Sequence, residues 1–70
     1  LKLGLMRQLL MQKFSYTDLR TKLLLTDSLP IQEGNYWGDQ YWGVDLRTGQ
    51  GQNNLGKLLM EIRGQFRHPR

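Results

Sequence analysis

Apolar residues at Leu3, Met6, Leu9, Leu10 and Phe14 recur at three- and four-residue steps, with Lys2, Arg7, Gln8, Gln12 and Lys13 between them. That spacing puts one apolar stripe on a helix running from Leu3 to Phe14. Ser15-Tyr16-Thr17-Asp18 has the spacing of a capping box and opens a second periodic run through Leu19, Leu23 and Leu24. The run stops near Thr26-Asp27-Ser28, and Pro30 prevents its continuation, so Leu29-Pro30-Ile31 leads to Gly34 as a short extended connector. A third stripe, Leu55, Leu58, Leu59, Ile62 and Phe66, is the cleanest periodic signal, with Asn53 or Asn54 placed to cap its start. Between connector and third helix, Asn35 to Gly56 has almost no aliphatic run and holds both tryptophans. The expected fold is mainly α: a small helical domain of three helical segments and a long Gly/aromatic loop. A polar, aromatic loop held between helices is where chemistry is expected.

Seventy residues, 39% hydrophobic and 23% charged, make one ordinary globular domain or part of one. With no cysteine the chain can form neither a disulfide nor a thiolate metal site, which fits a reducing cytoplasm. The longest apolar runs, such as Leu9 to Met11 and Leu23 to Leu25, are too short to span a bilayer, so no membrane association is expected. A helical pattern already running at Leu1, with no capping residue before it, reads as a truncated beginning. Net charge of +4 invites a nucleic-acid reading, but the bases lie on the helical flanks and in a C-terminal cluster of Arg63, Arg67, His68 and Arg70. Asp27 to Asp45 contains acids and no base.

Gly49-Gln50-Gly51-Gln52-Asn53 precedes the third helix, where backbone N–H groups and the helix dipole can hold a phosphate; the plainer reading is a turn with an Asn cap. Glu33, Asp39 and Asp45 are candidate acid/base or ribose-binding carboxylates. Asp39 stands among Trp37, Tyr41 and Trp42, although an Asp beside Gly38 also suits a turn cap. Tyr36, Trp37, Tyr41 and Trp42 suit stacking on a planar base, and equally a core or lid. His68 has no second His or Cys beside it, so no metal is expected, and Met6, Met11 and Met60 read as core filler.

Taken in order, Glu33-Gly34-Asn35, Trp37, Asp39-Gln40-Tyr41-Trp42-Gly43, Gly49-x-Gly51-x-Asn53-x-Leu55-Gly56 and Leu58-Leu59-Met60-Glu61-Ile62-Arg63 resemble the C-terminal half of a NADAR (YbiA-like) domain. Leu5-Met6, Lys13-Phe14 and Leu23 to Thr26 extend the likeness upstream, so it covers nearly the whole of residues 1–70. The resemblance implies part of a larger α-rich N-glycosidase fold acting on ribosyl C–N bonds without a cofactor. The implied substrates are a phosphorylated pyrimidine intermediate of riboflavin synthesis or an ADP-ribosyl adduct of guanine. It assigns Asp39 to the pocket as the catalytic carboxylate, with Asp45 as the alternative. Trp37, Trp42 and Gly43 would shape the pocket, while Gly49, Gly51 and Asn53 would face the substrate phosphate. The family's catalytic Glu and a further pocket Trp would fall upstream of Leu1, which predicts an incomplete site, inactive unless a complementing chain supplies the rest; helix faces built to cover the absent segments also suit a homo-oligomer. A non-catalytic module binding ADP-ribose or a nucleotide is the first alternative. A small basic helical protein binding a partner or nucleic acid is the second.

Overall fold

A computed structural model describes residues 2–68. Among these residues the elements run α1 (Lys2–Lys13), α2 (Thr17–Leu24), β1 (Gly34–Asn35), β2 (Val44–Asp45) and α3 (Asn54–Arg67). The chain is mainly α, as its periodicity predicts. α3 is the centre of the packing, with both α1 and α2 against it.

The third stripe behaves as its spacing requires. Leu58, Leu59 and Ile62 are buried, Ile62 completely, and they join Leu10 of α1 and Leu23 of α2 in one core. Met6, Phe14, Ile31, Trp42, Leu55 and Phe66 close around that core. The α1 stripe is only half used: Leu10 is buried and Met6 and Phe14 partly so, but Leu3 and Leu9 are exposed. One neighbouring helix can cover little more than one row of α1 side chains. No helix among the described residues is long and apolar enough to cross a membrane.

The capping box expected at Ser15 does not form. Tyr16 occupies the position before α2 with no side-chain cap, and the Ser15 hydroxyl donates back to Gln12 O at 2.6 Å. The connection from α1 to α2 is so short that this hydroxyl meets the unsatisfied carbonyls ending α1 before it can reach the N–H groups opening α2.

Arginines tie the second helix and its exit turn to α3. Arg63, grouped by sequence with the C-terminal charges, is instead buried, and its Nη1 donates to Thr26 Oγ1 and Leu29 O, each at 2.8 Å. Arg67 pairs with Asp27, which turns the chain in a left-handed conformation at φ 56°, and Arg20 donates to Phe14 O while stacking on Phe66. On the other side Arg7 pairs with Glu61 at 2.7 Å; at this exposure such a pair adds less than about 1 kcal/mol. Several of the bases thus have structural tasks within the fold. Pro69 and Arg70, the end of the C-terminal cluster, lie outside the described residues.

Ile62→Ala should cost about 2–4 kcal/mol, since it empties a side-chain position that is fully enclosed, whereas Leu9→Ala should stay within about 0.5 kcal/mol. Urea unfolding followed by circular dichroism measures both; equal losses would contradict the burial described.

Candidate active site

The Gly/aromatic loop is ordered by backbone pairing between segments distant in sequence. β1 and β2 lie parallel, with Gly34 opposite Val44 and Asn35 opposite Asp45, and Val44 N and Leu46 N donate to Glu33 O and Asn35 O, both at 2.8 Å. A second set of bonds runs from the approach to α3 back to the aromatic turn: Gln52 N to Gln40 O, Asn53 N to Gly43 O, Asn54 N to Tyr41 O and Leu55 N to Trp42 O. Glycine is required where these segments cross. A side chain on Gly43 would strike Glu33 O, and one on Gly51, whose φ is 152°, would strike Gly43 O and Val44 Cα.

Asn53 does not cap α3 with its side chain, as its position predicts. It adopts a left-handed conformation, φ 54°, which turns its amide toward the connector, where Nδ2 donates to Ile31 O at 2.8 Å and Oδ1 accepts Glu33 N at 2.9 Å. Buried Asn35 does the same for the aromatic turn: Nδ2 donates to Asp39 O at 2.8 Å and Oδ1 accepts Asp39 N at 3.0 Å. Nothing in the periodicity marks Asn35 for this task.

Asp39 is half-buried, and its Oδ1 accepts the N–H groups of Tyr41 and Trp42, both at 3.0 Å. It therefore caps the turn, as an Asp beside Gly38 should. Its Oδ2 accepts no hydrogen bond from the described residues, so a carboxylate oxygen remains for a ligand while its twin fixes the orientation. Around it the aromatics divide. Trp42 packs on the core and meets Tyr41 edge-on at 4.8 Å, whereas Trp37 is 79% exposed. Lys2 Nζ stands 4.0 Å above the Tyr41 ring.

Asp45, the alternative carboxylate, is buried and committed. Arg47 grips it with Nε on Oδ1 and Nη2 on Oδ2, both at 3.2 Å, and Arg47 N adds a bond to Oδ1 at 3.0 Å. The Arg47 side-chain bonds, then its backbone bond, hold the Asp45 carboxyl below its ordinary value of 3.8. Asp45 O also accepts Thr48 N and Gly49 N, closing the turn in which exposed Gly49 sits at φ 75°. In Arg47, a residue the sequence reading passes over, the visible signal was its place as the only base between Asp27 and Lys57, two positions from an acid. Near α3, the N–H groups of Gln52 to Leu55 are engaged by protein carbonyls, so a phosphate placed before α3 would have to displace them. Gly51→Val would break the crossing with Gly43 and so cannot serve as a test of ligand binding alone.

The crossing glycines, the Asp39 turn and the Asn53 bridge give Asp39, Gly43, Gly51 and Asn53 of the ordered motif structural tasks, and the NADAR domain model matches residues 1–67. The chain belongs to the NADAR family. It is 44% identical over 62 residues to the N-glycosidase YbiA of Escherichia coli (strain K12) and to that of Shigella flexneri, covering 87% of this chain and 38% of each relative. The chain thus spans well under half the length of these relatives, within an N-glycosidase-type family. No solved structure matches it.

The depressed Asp45 value gives a signed expectation. The contribution of the Asp45–Arg47 contact is fully present above the unfolded aspartate value of 3.8 and is lost as pH falls below it toward the folded value. Stability measured by urea unfolding from neutral pH into acid should therefore fall less steeply in Asp45→Asn than in the parent chain. Parallel acid limbs would show that the contact contributes nothing.

Proposed function

We propose that this chain provides the Asp39 side of an N-glycosidase pocket that cleaves a ribosyl C–N bond in a phosphorylated, nucleotide-like substrate. A pyrimidine ribose phosphate and an ADP-ribosyl adduct both have the required chemistry. The observation that carries the reading is the divided carboxylate of Asp39, with Oδ1 fixed by Tyr41 N and Trp42 N and Oδ2 uncommitted.

Departure of a base from ribose leaves an oxocarbenium-like centre that water captures at the anomeric carbon, and a preoriented carboxylate stabilises that charge with little reorganisation. Asn35 strengthens the preorganisation by holding both backbone polar groups of Asp39. Trp37 offers an exposed face for stacking the leaving base, while the Trp42-Gly43 corner forms a wall backed by the core. Protonation of the base falls to an acid outside these residues, the role that the family likeness gives to a glutamate. Without such an acid the same surface would bind ADP-ribose or a nucleotide and release no base.

The test is a chimera in which this chain replaces the matching stretch of Escherichia coli YbiA. Asp39→Asn in the chimera should lower base release about 10²- to 10³-fold with the circular dichroism spectrum unchanged. Base release at the parent chimera's rate would refute the assignment of Asp39.

A further inference from the structure

We propose that Arg47 recognises the substrate phosphate, an inference that rests on the pocket reading above. The carboxylate of Asp45 occupies the Nε–Nη2 edge of the guanidinium, and the Asp45 side chain is only 4% exposed while that of Arg47 is 62% exposed. The remaining edge, formed by Nη1 and the second hydrogen of Nη2, donates to nothing among the described residues. A guanidinium anchored along one edge and open along the other is preorganised for two parallel bonds to a phosphate.

Its position relates it to the pocket. The guanidinium lies over Gly38, between Trp37 and Asp39 in sequence; a side chain there would stand 3.4 Å from Arg47 Nη2, and the Gly38 φ of 85° disfavours one. A nucleotide-like substrate reaching Asp39 through its ribose and Trp37 through its base would then present its phosphate near Arg47. The segment from Asp27 to Asp45 is acidic and the N–H groups of Gln52 to Leu55 are already bonded to the aromatic turn; the other cation beside the turn, Lys2, is a point charge set over the Tyr41 ring and offers no fork. Because Asp45 offsets one unit of charge, recognition here depends on the direction of the fork more than on net attraction. That favours a phosphate delivered on a ribose over a free anion.

The experiment is an amide and arginine Nε–H NMR titration of the 70-residue chain with ribose 5-phosphate, ribose and inorganic phosphate, repeated on Arg47→Lys and Arg47→Gln. Ribose 5-phosphate should shift the Arg47 Nε–H and Gly38 N–H signals more strongly than either other probe. Arg47→Lys keeps the charge but loses the fork, and should weaken the ribose 5-phosphate response roughly tenfold while leaving the ribose response unchanged. Arg47→Gln should abolish the difference between the sugar and its phosphate, and each variant's amide spectrum reports whether its fold is retained. Equal responses to inorganic phosphate and ribose 5-phosphate would overturn the proposal, as would a parent chain with no phosphate-dependent shift at Arg47. A ribose 5-phosphate response that survives Arg47→Lys undiminished would also overturn it, without touching the Asp39 assignment, whose own failure is an unchanged rate in the Asp39→Asn chimera.

Discussion

Two side-chain amides, those of Asn35 and Asn53, hold the long loop in its shape. An asparagine amide carries a donor and an acceptor side by side, as a peptide group does, and so can stand in for a missing strand. Asn53 presents this pair to the connector at Ile31 and Glu33, and Asn35 presents it to the backbone of Asp39. A stretch with strands as short as Gly34–Asn35 and Val44–Asp45 has little regular pairing, and a buried backbone group without a partner is costly. These amides supply the partners, and no buried side-chain nitrogen or oxygen among the described residues is left without one. A carboxylate replacing either amide could still accept a bond but could no longer donate one.

The helices then act as a foundation. α3 contributes most of the apolar core, and the residues at its start carry the bonds to the aromatic turn, so movement of α3 would be felt at Asp39 through Tyr41 and Trp42. Arginines replace apolar contact on the α2 side, where Arg63 fastens the exit turn through bonds to a hydroxyl and a carbonyl. Their polar partners are local and directional. This fixes geometry at a point where the small core has few side chains to spare.

What the sequence reveals follows the range of each interaction. The α3 stripe was readable because its burial depends on one helix face, and the turn-capping alternative for Asp39 was readable because it involves neighbouring residues alone. The Ser15 capping box was misleading since local spacing cannot say which of two adjacent helix ends a hydroxyl will serve. Arg63 was misplaced because its partners, Thr26 and Leu29, come from a distant turn. The bridging amides were hidden because an Asn suits a cap, a turn or a bridge equally well and only the folded register decides, whereas the Asp45–Arg47 contact, two positions apart, lay within local range. Likewise Gly51 reads as a phosphate loop, and only the folded register shows that a side chain there would strike Gly43 O.

The glycines most visible in the motif have a further meaning. Gly43, Gly51 and Gly56 are required by backbone crossings, since a side chain at Gly56 would meet Ile31 O just as those at the other two would meet carbonyls of the loop. None of these clashes involves a reacting atom. The pattern by which a chain is known as a NADAR protein is therefore in large part a record of how its backbone is woven, and a descendant that had lost turnover altogether could still bear it. Membership in the family and competence in its chemistry are separate properties, inherited through different atoms.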